Sequence, residues 1–340
     1  MKSKLRKRRS LGAIQFVFVA KAAFVNNSRN TLKQTPVRLI SDLKNMNFNL
    51  KASVSRMRAL SLVLATGASL AVPFELARHS GPQAARAGYL GFDRNDYPGD
   101  ANLTVLRRTF SYSGYWLNNP PGGNSNSWTG KRKTLQAAGF GFLVVFNGRT
   151  DAQIKAAGDA AKLGSSDAAA AVSAARREGF PSRTVIFLDQ EEGGRLLPEQ
   201  RSYLHSWVDG VNSAGFRAGV YCSGIASKEA SGASVVTAED IRQNAGGRKL
   251  HYWVINDSCP PSPGCAFPKK APSAASSGVS FAEVWQFAQS PRRPDFASGC
   301  PDNYNKDGNC YPPGVDPAQR LHVDLNVASS SDPSHGRSRD

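Results

Sequence analysis

Residues 184–194 read TVIFLDQEEGG. Val185, Ile186, Phe187 and Leu188 form an apolar run without alternation, holding two β-branched residues and an aromatic. That is how a strand covered on both faces reads, as in a parallel sheet. The run enters Asp189-Gln190-Glu191-Glu192 and stops on Gly193 and Gly194, which release the backbone into a loop. Side chains alternate along a strand, so Asp189 and Glu191 are expected on one side of its carboxyl end and Gln190 and Glu192 on the other. A polar strand exit accounts for these acids equally well, so the other strands have to decide.

Seven further stretches read as strands: GYLGFDRN (88–95), TFSYSGYWL (109–117), FGFLVVFNG (140–148), RAGVYCSG (217–224), KLHYWVIND (249–257), AEVWQFAQ (282–289) and HVDLNVAS (322–329). Helical signals fill several gaps. Residues 151–179 are alanine-rich, and residues 198–215 open on Pro198 and close on Gly215. Leu204, Trp207, Val208 and Val211 fall on one face at helical spacing. Thr237 with Asp240 three residues later reads as a variant of the capping box. Eight strands alternating with helices or long crossovers predict an α/β fold, an irregular (β/α)8 TIM-type barrel over residues 88–329. The irregularity is expected where 258–281 and 290–321 are proline- and cysteine-rich loops. A doubly wound open sheet is the alternative, but no GxGxxG follows the first strand. Residues 330–340 read as a disordered tail.

The chain's charge of +17 is unevenly held. Residues 1–87 carry 16 Lys/Arg against the 2 acids Asp42 and Glu75, which leaves 27 against 24 in residues 88–340, from chain totals of 43 and 26. The mature part therefore offers no charge argument for nucleic acid. In the basic segment, Arg56 and Arg58 precede an apolar stretch from Ala59 to Phe74, and Ala85-Arg86-Ala87 follows as an A-x-A cleavage site. That is the form of a secretory signal peptide, cleaved after Ala87, with Met46 or Met57 as the initiator or an extended basic region before it. Gly67 and Pro73 break the stretch, so no stable membrane span is expected, although a retained N-terminal anchor is the other reading. The expected destination is secretion, the periplasm or the cell envelope.

Cysteine usage fits export. Cys259 with Cys265, and Cys300 with Cys310, bracket Pro/Gly-rich loops of the kind short disulfides pin. Zinc competes for them, but no His or second CxxC stands nearby. Cys222 lies in an apolar strand and reads as a buried free thiol. Asn303, Asn305, Asp307 and Gly308 resemble the start of a calcium loop, yet the twelfth position is Gly314 instead of Glu. Neither a metal nor a cofactor is expected.

In a barrel the chemistry sits at the carboxyl ends of the strands. The acids placed there are Asp93, Asp189, Glu191 and Asp324, with Asp257 ending the sixth strand. Tyr112, Trp116, Tyr221, Trp253, Trp285, Gln286 and Asn147 stand at comparable positions. Aromatic faces stack on the apolar faces of sugar rings, and paired carboxylates supply acid catalysis and charge stabilisation at the anomeric carbon. Each acid alone is more often a structural strand-end group. Their convergence from separate strands favours a site.

GFD on the first strand, then FLDQE, GVYCSG, VWQFA and VDLN, occur in the order found in family 25 glycoside hydrolases, lysozymes that cleave peptidoglycan on an irregular barrel. The spacing, with Ser166-Asp167-Ala168 as a helix start and Gly-Val-Tyr on the fifth strand, resembles more closely the glycoside-hydrolase-like domain catalogued as domain of unknown function 1906. The resemblance covers residues 88–328. It implies Glu191 as general acid, Asp189 as the group that steadies charge at the sugar or orients a participating 2-acetamido group, and Asp93 and Asp324 as further acids of the pocket. It also implies a monomeric protein acting on peptidoglycan or another N-acetylated polysaccharide. A glycan-binding module without turnover is the first alternative, and a scaffold with purely structural acids the second. The NNPPGGNSNSWTG loop (118–130) departs from the lysozymes.

Overall fold

All eight predicted strands form, and they close on themselves. The computed structural model describes residues 88–257, 268, 270–288, 312–319 and 321–338. Along the chain run β1 (Tyr89–Asp93), α1 (Leu103–Arg107), β2 (Tyr112–Trp116), α2 (Arg132–Ala137), β3 (Gly141–Asn147), α3 (Asp151–Ala157), α4 (Ala160–Arg177) and β4 (Val185–Asp189). There follow α5 (Pro198–Ser213), β5 (Arg217–Ser223), β6 (Ala226–Lys228), β7 (Ser234–Val236), α6 (Thr237–Gln243), β8 (His251–Ile255), β9 (Val284–Ala288) and β10 (Asp324–Ala328). The barrel order is β1-β10-β9-β8-β5-β4-β3-β2, and β6 and β7 form a separate hairpin that the sequence reading did not anticipate. The α/β barrel expectation is met. Cys259, Cys265, Cys300, Cys310, the Asn303–Gly308 stretch and residues 1–87 lie outside the described residues.

One strand departs from a uniform (β/α)8 pattern. β10 runs antiparallel to both neighbours, β1 and β9, whereas the other barrel pairs are parallel. Asp324 therefore stands at the amino end of its strand, not the carboxyl end, and reversal of the strand brings it level with Asp93, its register partner. A strand that re-enters from the rim where β9 exits needs no covering crossover, in keeping with the proline- and cysteine-rich sequence that joins them.

The helical layer follows local chemistry. The alanine-rich stretch is two helices, divided where Gly158 adopts φ 75° and Asp159 caps α4 by accepting from Lys162 N at 2.9 Å. Asp167 is thus in the middle of α4, not at a helix start; it is buried and pairs with Arg149 through two 2.7 Å hydrogen bonds. α5 begins on Pro198, and Leu204, Trp207, Val208 and Val211 are all buried, as its periodicity predicts. Gly164 lets α4 and α5 approach closely: a β-carbon there would lie 2.2 Å from the Tyr203 carbonyl oxygen.

The expectation of a disordered tail is overturned for residues 330–338. Since β10 runs downward, it delivers the following residues to the amino-terminal end of the barrel, where strand-entry backbone groups need partners. Ser334 is fully buried; its N–H donates to Phe142 O (2.9 Å), its hydroxyl accepts from Val144 N (2.8 Å) and its carbonyl accepts from Val185 N (2.8 Å). Asp332 accepts from Phe142 N (2.9 Å), Gly336 N (3.1 Å) and Arg337 N (3.0 Å). Arg132 stacks over Phe180 at 5.0 Å and donates to Gly336 O at 2.8 Å. The tail is the floor of the barrel. Polar, low-complexity sequence hid it, because its role is to satisfy hydrogen bonds and not to bury apolar area. Asp332→Ala should lower stability by about 2–3 kcal/mol in urea unfolding, since three backbone donors lose their acceptor. A change below about 0.5 kcal/mol would show that the floor adds nothing.

Candidate active site

The barrel interior is decided by parity. Gly91 and Asp93 share a side of β1, and the register carries that side through Tyr112, Gly114 and Trp116 on β2, Phe187 and Asp189 on β4, Gly219 and Tyr221 on β5, Trp253 on β8, Gln286 on β9 and Asn326 on β10. Small residues make room for the rings. A β-carbon at Gly91 would lie 2.1 Å from the Tyr112 ring, and one at Gly219 2.5 Å from the Phe187 ring.

A continuous hydrogen-bonded chain crosses this interior. Trp253 Nε1 donates to Asn326 Oδ1 at 2.9 Å, and Asn326 Nδ2 donates to Asp93 Oδ1 at 2.6 Å. Gln286 Nε2 donates to the same Asp93 oxygen at 2.9 Å, while Gln286 Oε1 accepts from the Tyr221 hydroxyl at 2.8 Å. Tyr221 and Trp253 pack with ring centroids 4.5 Å apart, and Phe187 meets Trp253 edge-on at 6.0 Å.

The acids differ sharply in surroundings. Burial raises Asp93 to about 6, against the pull of the Asn326 and Gln286 donors. Asp189 is buried, its Oδ1 has no hydrogen-bond partner among the described residues, and burial followed by the charges of Glu191 and Asp93 holds its carboxyl well above the ordinary range. Glu191 stands exposed at the mouth, and is raised by desolvation on its protein side and then by the Glu192 carboxylate. Asp324 is half-buried. Burial lifts the Tyr221 hydroxyl well above its usual value, and Asp189, Asp93, Asp324 and Glu191 all push it in the same direction. The four acids therefore act electrostatically on one buried tyrosine.

Alternation along β4 ends at Asp189, so the expected two-residue repeat does not itself set Glu191. Gln190 is buried, and its N–H donates to Tyr221 O at 2.9 Å. The loop after it is held from several sides. Glu192 accepts from Asp151 N at the start of α3 with both oxygens at 3.0 Å. Gly194 N donates to the Thr237 hydroxyl at 2.8 Å, and Leu196 N to Asp240 at 3.1 Å. Thr237 and Asp240 thus do not form a capping box; Val236 is the cap of α6, and the two side chains fasten the loop that carries Glu191. Glu192 is a structural anchor.

The aromatic expectations divide. Tyr221 lies among the acids, and Trp116 is buried at the end of β2 with Nε1 donating to Arg94 O at 3.0 Å. Tyr112 is fully buried lower in the barrel, with its hydroxyl unpartnered among the described residues. Trp253 is only 2% exposed and is wrapped by Tyr221, Phe187 and Asn326, so it offers no open face. Trp285 is not brought to the site: Gln286 points inward, so its strand neighbour points outward, where it packs on Phe287 and donates to Asn256 O at 2.8 Å. Asn147 turns to the 118–130 loop, donating to Asn119 O at 2.9 Å, and Asp257 is half-buried beyond β8. Sequence reasoning passed over Asn326, although VDLN contains it at the correct parity, and Arg94, a half-buried cation beside Asp93 that feels the Asp324 charge.

A cavity of about 690 Å³ opens beside the mouth, between the 118–130 loop and the exit of β3, with Glu191 on its wall. Most of its polar lining is already engaged. The Asn118 side chain bonds both the carbonyl and the N–H of Asn147, Asn126 donates to Trp116 O, and Arg149 pairs with Asp167. Among the described residues no cluster of three or more His, Cys, Asp or Glu could hold a metal ion, and no helix is long and apolar enough to cross a membrane. Cys222 is free and buried, and burial pushes its thiol far up.

Residues 112–262 match the Rv2525c-like, glycoside hydrolase-like domain, the group to which the sequence motifs pointed. Similar solved structures include an uncharacterized protein of B. stearothermophilus, with 22% identity, 71% of this chain and 96% of that one covered, and a TM-score of 0.46. The Mycobacterium tuberculosis Tat-secreted protein Rv2525c shows 15% identity, coverage of 74% and 98%, and a TM-score of 0.42. A bacterial lysozyme of Streptomyces coelicolor shows 13% identity, coverage of 72% and 94%, and a TM-score of 0.41. No curated protein matches the chain.

The raised carboxyls have a consequence for stability. An acid that titrates higher in the folded than in the unfolded chain holds its proton more tightly when folded, so stability falls as pH rises from the ordinary carboxylate range through the folded value. For Asp93, displaced from 3.8 to about 6, this amounts to on the order of 3 kcal/mol between those limits. Asp189→Asn should therefore raise the melting temperature at pH 7, with the gain vanishing below about pH 4. Scanning calorimetry across that range checks it; an equal change at both pH values would remove the electrostatic cause.

Proposed function

We propose that this glycoside hydrolase-like barrel is an exported enzyme that cleaves a cell-wall or other N-acetylated glycan by carboxylate acid catalysis. The observation that carries the reading is the set of acids at one rim: Asp93 level with Asp324, Asp189 on the same inward side, Glu191 exposed in the loop that follows, and one Asp189 oxygen buried without a partner among the described residues. Such a division of environments separates the two jobs of glycoside cleavage. Glu191, open to an incoming chain and raised above its ordinary value, donates its proton to the glycosidic oxygen as the bond to the anomeric carbon breaks. Positive charge then develops at that carbon, or on the ring formed when a 2-acetamido oxygen attacks it. Asp189 holds its proton tightly in the empty site; as the positive charge builds, that proton passes to water and the carboxylate left behind steadies the charge. Water attacks the sugar while Glu191 takes back a proton, which completes hydrolysis.

Export rests on the basic segment with its apolar stretch and A-R-A site, and the bridges Cys259–Cys265 and Cys300–Cys310 rest on their loops. Within this reading Tyr221 and Trp116 touch the sugar, and the protein acts as a monomer without a cofactor.

Purified protein incubated with peptidoglycan and chitin oligomers, with products read by mass spectrometry, tests the proposal. Glu191→Gln should reduce turnover by ~10²–10⁴ while retaining much of the glycan affinity, and Asp189→Asn should also impair turnover. Glycan binding by the wild type with no products from any N-acetylated substrate would leave a binding module in place of an enzyme.

A further inference from the structure

A buried carboxylate is held in one orientation only where donors fix it, and Asp93 has two, both on the same oxygen. We propose that Asn326 and Gln286 are positioning residues which fix Asp93 through its Oδ1 and tie its setting to Trp253 and Tyr221. The proposal rests on the reading of the acid cluster as the working site.

Each amide is engaged at both ends. Asn326 is 0% exposed, receives Trp253 Nε1 on its oxygen and gives its nitrogen to Asp93. Gln286 is 2% exposed, receives the Tyr221 hydroxyl on its oxygen and gives its nitrogen to the same Asp93 atom. The indole can only donate, which turns the Asn326 oxygen toward Trp253 and its nitrogen toward Asp93. The carboxylate of Asp93 can only accept, which turns the Gln286 nitrogen toward it and leaves the Gln286 oxygen for the Tyr221 hydroxyl. Gln286 is buried and engaged at both ends, which distinguishes it from the sugar-binding role that its place in the sequence suggests. With Oδ1 doubly occupied, the other oxygen of Asp93 is the one left for the remaining groups around it. Those are the Tyr112 hydroxyl from β2, Asp189 from β4, Tyr221 from β5, Asp324 from β10 and Arg94 beside it in sequence.

The two amides come from β9 and β10, the strands on either side of the antiparallel pairing. The register shifts between Leu325 and Asn326, which pair with Ala288 and Gln286, so β9 carries the extra residue Phe287 next to the amide that reaches Asp93. Such irregularities re-aim side chains near sites. Here Asn326, paired with Gln286 across the two strands, stands close enough for both amides to converge on a single oxygen.

The test uses full-length protein labelled with carboxyl-¹³C aspartate, with Asp93 assigned from the resonance missing in Asp93→Asn. Asn326→Leu and Gln286→Leu keep side-chain size and remove the amide. Each should raise the Asp93 midpoint by roughly one pH unit, because a donor to the charged form is lost. Asn326→Leu should also change Trp253 emission, and Gln286→Leu should leave that emission in place. If the protein turns over glycan, both variants should lower kcat by about tenfold or more while KM changes less, as expected when a group is held less well for the transition state. Should Asn326→Leu fail to fold, Gln286→Leu carries the same titration alone. An Asp93 midpoint unmoved in the folded variants overturns the proposal, whether or not glycan is cleaved. Absence of turnover in the wild type with a shifted midpoint overturns the enzymatic reading alone.

Discussion

Taking a carboxylate out of water is the constraint around which this barrel is arranged. An ionised side chain without replacement hydrogen bonds costs several kcal/mol in the interior, and proteins answer either with donors or by letting the group keep its proton. Asp93 and Asp189 illustrate the two answers side by side. Asp93 receives two amide donors and remains within reach of physiological titration. Asp189 keeps an unpartnered oxygen and is pushed much further. The rest of the interior follows from supplying the first and sparing the second. Asn326 and Gln286 must sit on adjacent strands, Trp253 and Tyr221 must satisfy their oxygens, and glycines must replace side chains where rings pass.

Much of this was legible in the chain. A buried parallel strand has no alternation, and the run Val185–Leu188 of β4 was readable for that reason. The helix α5 was readable because its apolar residues recur at helical spacing between a proline and a glycine. Strand direction was not legible, because hydrophobic pattern is the same read upward or downward. β10 therefore took Asp324 to the correct rim for a reason that the pattern does not encode. Trp285 was misplaced because residue type was weighed above parity: two neighbours on one strand cannot both line an interior.

Polar side chains that serve backbone groups were the hardest to read. Thr237 and Asp240 have the spacing of a helix cap, yet their acceptors are used by Gly194 and Leu196, far away in sequence. Glu192, which alternation placed on the side away from Asp189, accepts from Asp151 N at the entry to α3. Ser334 and Asp332 sit in a stretch whose composition suggests a solvated coil. In each case the local sequence supplies an acceptor, and only the tertiary arrangement decides which distant N–H claims it.

The reversed strand also settles the polarity of the whole barrel as an object to be attached. β1 rises from Gly88 at the base and β10 returns to that base, so the first described residue and Ser338, whose N–H donates to Gln136 near the end of α2, both lie at the closed end of the barrel. An all-parallel arrangement would send the last strand out through the same opening as the acids. Here both ends of the described barrel lie at the floor, on the side away from the acid-lined opening.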